Sequence, residues 1–214
     1  NSAAGWGGAF VAEFSEISWC GNGAQFSFNF ASDGGGAIVA YSSDISWYGD
    51  DTLFSSNVAF DGGGGAIYAH LSTIIWNGNK AQFTSNYAST DGGAIYALES
   101  TVSNSRVSEQ RASSSDMFVY DEYISYAVFA YTSDGNLAES NTGASLDTNT
   151  AFKDNDCAGN GGALYVESPA SFYLAHATIQ NNSAGTAGGA VALIEAGDFS
   201  APAVFSRCTF LKNV

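Results

Sequence analysis

The chain has 214 residues with 25 glycines and 2 prolines; 45% are hydrophobic, 13% are charged, and 21 acidic against 6 basic side chains give a net charge of −15. It is long enough to bury a sizeable core as one domain, too rich in Ile, Val, Phe, Tyr and Trp for a disordered polyanion, and without the ~18 consecutive apolar residues of a membrane-spanning helix. An acidic surface with no basic stripe repels phosphate backbones and argues against nucleic-acid binding.

Taken in chain order, the segments repeat. Gly-Gly-Ala followed by an apolar residue recurs with its alanine at Ala9, Ala37, Ala66, Ala94, Ala163 and Ala190, at spacings of 28, 29, 28, 69 and 27. Ile-x-Trp runs beside it at Ile17/Trp19, Ile45/Trp47 and Ile74/Trp76. An apolar residue three positions before an asparagine follows at Phe26/Asn29, Phe54/Asn57, Phe83/Asn86, Phe152/Asn155, Ile179/Asn182 and Phe210/Asn213. One unit reads Gly65–Ala69, Thr73–Trp76 and Ala81–Ser85, pieces too short for helices and dominated by β-branched or aromatic residues. Such a unit cannot bury an apolar face alone, so neighbours must stack at the ~4.8 Å strand spacing. The expected fold is therefore all-β, a parallel β-helix (a solenoid) with three short strands per coil of about 28 residues. It forms one domain over 1–214 with an irregular insertion at about 100–149. The chain starts and stops inside the pattern, so a piece of a longer chain is expected.

Stacking predicts ladders. Ile38, Ile67 and Ile95, continued by Leu164 and Val191, make an aliphatic column; Phe26, Phe54, Phe83 and Phe152 make an aromatic one. Asn29, Asn57, Asn86, Asn155 and Asn182 make an amide ladder at a corner, where asparagine suits the left-handed backbone a tight turn needs. The double glycines mark another corner with positive φ. Within the irregular region, Met117–Tyr120 and Tyr126–Phe129 read as strands, and its 69-residue step fits either two coils plus a short insert or one coil plus a long one.

Candidate sites are few. The column Trp19, Trp47, Trp76 and the column Tyr68, Tyr96 are possible contact stripes, although Ile17, Ile45 and Ile74 share the tryptophans' strand face and point to burial. Asp33, Asp61 and Asp91 precede the next alanine by 4, 5 and 3 residues, out of register for a metal or catalytic row. His70 and His176 lie in different coils, and Cys20, Cys157 and Cys208 have neither ligand spacing nor the closeness a disulfide needs. No metal or cofactor is expected. Asn181-Asn182-Ser183 is a glycosylation sequon with Asn181 as acceptor.

Gly35-Gly36-Ala37-Ile38, Gly64-Gly65-Ala66-Ile67 and Gly92-Gly93-Ala94-Ile95, paired with Phe54-Ser55-Ser56-Asn57 and Phe83-Thr84-Ser85-Asn86, resemble the repeats of the polymorphic outer membrane protein family. Those are chlamydial autotransporter adhesins, and similar repeats occur in large surface proteins of algae and other eukaryotes. The resemblance covers about 1–98 and 151–214. It implies a right-handed β-helix, an extracellular or cell-surface setting and an adhesive or structural role, and it supplies no catalytic residue. The expected partners are other protein chains, through end-to-end or lateral self-assembly, or cell-surface glycans. Two alternatives stay open: a polysaccharide-active enzyme of the pectate-lyase-like class, with acidic residues such as Asp116 and Asp121, or a carbohydrate-binding module using the Trp or Tyr column.

Overall fold

A computed structural model describes residues 1–76, 78–104, 149–168, 171–194 and 203–214, leaving aside the side chain of residue 171. They belong to one compact unit, Asn1–Ser105 with Asp147–Val214. The strands expected at Met117–Tyr120 and Tyr126–Phe129, and Asp116 and Asp121, lie outside the described residues.

The described residues hold no helix and form a parallel β-solenoid of about six turns. Each turn contributes one strand to each of four six-stranded sheets. In the third coil these strands are Ile67–His70, Thr73–Trp76, Gln82–Thr84 and Tyr87–Ala88. The expectation of three strands per coil is thereby corrected to four. The fourth strand is only two residues long, directly after the ladder asparagine, and two residues cannot show the alternation by which a strand is read from sequence.

Every pairing between coils is parallel and in register, so like sits on like. Ile67 pairs with Ile38 and Ile95, Phe83 with Phe54 and Phe152, and Trp47 with Trp19 and Trp76. Ile95 pairs directly with Leu164, so the 69-residue step is one coil with a long excursion between Ser103 and Thr150. Inward side chains form one continuous core in which Ile38, Ile45, Trp47, Phe54, Ile67, Ile74, Trp76, Phe83, Ile95, Phe152 and Leu164 are essentially fully buried. Burying each such side chain contributes about 1.5–3 kcal/mol. The phenylalanine rings stack nearly parallel with centroids 4.8, 4.9 and 4.8 Å apart, and the tryptophans at 5.0 and 5.2 Å.

The corners require left-handed backbone. The first glycine of each Gly-Gly-Ala supplies it, as at Gly64 with φ 68°. Its neighbour Gly65 is needed for a different reason, because a Cβ there would run into the carbonyl oxygen of Gly93 one coil away. At the asparagine corner the structure corrects the expectation. The strained residue is the one before each asparagine (Phe28, Ser56, Ser85, Asp154, Asn181, Lys212, φ 51–55°), and the asparagine itself turns inward to make hydrogen bonds.

Candidate functional site

The asparagine ladder uses all the hydrogen-bonding capacity of the amide. Asn57 Nδ2 donates to Asn86 Oδ1 at 2.9 Å and to the Phe26 carbonyl at 2.8 Å, while the Asn57 backbone N–H donates to the same Oδ1 at 3.1 Å. Asn86, Asn155 and Asn182 repeat this arrangement, and Asn1 and Asn213 continue the ladder at either side. Asn57, Asn86, Asn155 and Asn182 are buried to 1% exposure or less, where an unpaired amide would be costly.

A second ladder, absent from the sequence reading, lies at the opposite corner. The backbone N–H groups of Ser15, Ser43 and Ser72 donate to the hydroxyl oxygens of Ser43, Ser72 and Ser100 at 3.0–3.1 Å. The hydroxyls of Ser15, Ser43, Ser72 and Ser100 each donate to the carbonyl two residues earlier. Its spacing of 28, 29 and 28 repeats that of the Gly-Gly-Ala motif and was there to be read, but serine is too common in this chain to stand out.

The excursion is rooted in a buried polar cluster. Register places Asn104 after Ser103 at the position that Trp76 holds one coil earlier. Asn104 is fully buried; its Nδ2 donates to Thr150 Oγ1 at 3.1 Å and to the Ala175 carbonyl at 2.7 Å, and its Oδ1 accepts from the Ala175 N–H at 2.7 Å. Thr150 Oγ1 also accepts from Trp76 Nε1 at 3.0 Å.

Among the candidate contact columns, Trp47 and Trp76 are fully buried and Trp19 is partly so, which removes the tryptophans as an accessible stripe. The tyrosines face outward. Tyr68 and Tyr96 are half-buried, Tyr165 extends the column but is itself buried at 8% exposure, and the rings stack at 5.0 and 4.9 Å. Because neighbouring rings cover each other's faces, this column offers edges and hydroxyls and not a flat platform for a sugar ring. Tyr96 lies against the bare backbone of Gly63, where a Cβ would come within 2.5 Å of the ring. Tyr165 Oη donates to Glu167 Oε2 at 3.0 Å. Burial raises the pKa of all three phenols, that of Tyr96 to about 12, with the charge of Glu167 adding to the rise. For Tyr165 the hydrogen bond to Glu167 is the next cause after burial.

The outer surface also carries apolar side chains for which no sequence signal was read. Phe14 and Phe28 are 78% and 75% exposed, and Phe60 is 58% exposed beside Phe30. Phe14 sits against Tyr41, which meets the His70 ring edge-on at 4.9 Å. Asp33 and Asp61 are exposed, whereas Asp91 accepts from the Asn160 backbone and side-chain amides at 2.6 and 3.0 Å. Asp91 therefore braces a corner. The thiols are free: Cys20 is exposed, Cys157 is buried with its pKa raised to about 11 by burial, and Cys208 is partly buried with its pKa also raised. His176 is partly buried. Among the described residues no group of three or more His, Cys, Asp or Glu is placed to hold a metal ion. Asn181 is exposed at its corner, and its Nδ2 donates to Asp154 Oδ1 at 3.1 Å.

Residues 51–70 and 78–98 match the Chlamydia polymorphic membrane protein repeat. The match takes in the Phe54–Asn57 corner, the Gly64–Ile67 turn, and the Phe83–Asn86 and Gly92–Ile95 segments of the next coil. These are the residues on which the resemblance in the sequence was based, and here they form the asparagine ladder, the phenylalanine stack and the glycine corner. No curated protein and no solved structure matches the chain.

Proposed function

We propose that this chain is a rod segment of a non-enzymatic, extracellular or cell-surface repeat protein with a structural or adhesive role. The observation that carries the reading is the match of two coils to a membrane-protein repeat whose residues here serve the stacking itself. We further infer a right-handed coil, the hand that parallel crossovers adopt almost without exception. The partners in this reading are other protein chains or cell-surface glycans. The exposed Phe14, Phe28 and Phe60, apolar points on a chain of net charge −15, support it as places where a partner is touched against the general charge repulsion. Asn181, exposed within its sequon, is the proposed glycan acceptor.

The location is tested by antibody labelling of intact and permeabilised cells of the source organism. Equal labelling of both is expected, and labelling after permeabilisation alone sinks the surface reading. The adhesive role is tested with beads coated with the chain, presented to cells and to chain-coated beads. Phe14→Ser/Phe28→Ser should lower capture several-fold while leaving the circular dichroism spectrum unchanged.

A further inference from the structure

The outward aromatic column has a feature that neither packing nor adhesion uses. Trp6 meets Tyr68 at 5.1 Å, Tyr68 meets Tyr96 at 5.0 Å, and Tyr96 meets Tyr165 at 4.9 Å, with interplanar angles of 6° and 18° between the tyrosines. Because the strands pair in register, successive tyrosines are related by a shift along the solenoid axis, and their near-parallel rings lie one over the next. Trp6 is half exposed at one end of the row. At the other end the Tyr165 hydroxyl already donates to a carboxylate, Glu167.

We propose that this column is an oxidative cross-linking site, in which a one-electron oxidant of the peroxidase and hydrogen peroxide class joins adjacent tyrosines through a dityrosine bond. Each of two phenols loses one electron to the oxidant and one proton. From Tyr165 the proton passes to Glu167, and from Tyr96 or Tyr68 to water. The two phenoxyl radicals couple through their ortho carbons, and each ring regains aromaticity as its ortho hydrogen moves to its own oxygen. The sum is two phenols plus one hydrogen peroxide giving one biaryl and two waters. The fold's contribution is proximity: neighbouring rings held about 5 Å apart react as if at very high local concentration. Protonated phenols with raised pKa values suit a route in which electron and proton leave together, and Glu167 is placed to take that proton. Such a bond would staple successive coils covalently in a chain whose described cysteines form no disulfide.

The test treats the full chain with a haem peroxidase and limiting hydrogen peroxide, followed by proteolysis and tandem mass spectrometry. Links that have lost two hydrogens are expected between Tyr68 and Tyr96 or between Tyr96 and Tyr165. They should form within one molecule and outnumber links through the more exposed Tyr41, Tyr48 and Tyr87. Tyr96→Phe keeps the stack but removes the central phenol, and should abolish most dityrosine fluorescence from monomeric protein. Glu167→Gln should slow formation of the Tyr96–Tyr165 link several-fold. Absence of column links, a yield unchanged in Tyr96→Phe, or the same link pattern from chain unfolded in denaturant would each overturn the proposal.

Discussion

At the scale of single residues, the fold depends on amides and hydroxyls that sit inside it. Removing one ladder asparagine leaves partners stranded on both sides. In Asn86→Ala, the Asn57 backbone N–H and one Asn57 Nδ2 proton lose their partner, and the Phe54 carbonyl, still paired in its sheet, loses one of its donors. At about 1–3 kcal/mol for each buried orphan, the expected destabilisation is about 3 kcal/mol or more, read from the midpoint of urea unfolding. A loss under about 1 kcal/mol would mean that water fills the gap and that the ladder is ornament. The opposite change is available at Ala81. It shares a column with Thr52 and Thr150, and Thr150 accepts from Trp76 Nε1, whereas Trp47 Nε1, one coil earlier, is buried without a partner. Ala81→Thr places a hydroxyl where Thr150 has one and is expected to stabilise by about 1 kcal/mol when that hydroxyl takes the geometry of Thr150, and by less when it turns like Thr52, which donates to the Gly49 carbonyl and leaves Trp19 Nε1 without a partner. A lowered unfolding midpoint would show that the added methyl overpacks the core instead.

At the scale of the element, each coil is a set of short strands joined by corners that side chains close. Non-glycine residues with positive φ recur there, and the left-handed conformation costs such residues roughly 1–2 kcal/mol. Leu71, with φ 51° and half exposed, is such a residue. Leu71→Gly should therefore stabilise, or at worst be neutral, whereas Gly64→Ala, which drives a Cβ onto the Ile67 carbonyl, should be strongly destabilising. Paired thermal melts of the two variants check the contrast. The excursion obeys the same logic. Asn104, Thr150 and Ala175 are bonded together where the chain leaves and rejoins the solenoid. Replacing 105–148 by three residues, which gives Asn104 and Ala151 the separation of Trp76 and Gln82, should leave the melting temperature within a few degrees, since loop length enters closure entropy only logarithmically. Aggregation or a large fall would show that the excursion supports the core.

For the molecule as a whole, stability follows from stacking, because each coil contacts only its neighbours and no coil has a core of its own. The pH dependence follows from the outward tyrosines. At pH values below 10.0 their phenols are protonated in both folded and unfolded chains. As pH rises from 10.0 towards about 12 the unfolded chain releases protons that Tyr96 retains in the folded one, so stability is lost across that window. Urea midpoints measured at stepped alkaline pH should fall there, and Tyr96→Phe should flatten the fall. An unchanged midpoint through the window would show that these phenols titrate alike in both states. The low pI of about 4.1 has a simple origin in this setting: acidic turn residues coat a repetitive core and oppose unspecific association of exposed apolar points.

The sequence by itself determined the repeat, its parallel stacking and the identity of the inward columns, because in-register stacking places like on like and any register can be read from spacing alone. Phe26, Phe54, Phe83 and Phe152 were legible for that reason, and so were the asparagines and the glycine corners. Tertiary structure decided what spacing does not encode. A two-residue strand has no period, so the fourth sheet was invisible. Which corner residue takes positive φ depends on where the asparagine amide finds its partners, one coil away, and that moved the strain from Asn57 to Ser56. Whether the 69-residue step is one coil or two required knowing which chain segments pair, whereas the burial of Trp47 agrees with the strand face it shares with Ile45. Ile95 on Leu164 answers it: the step is one coil.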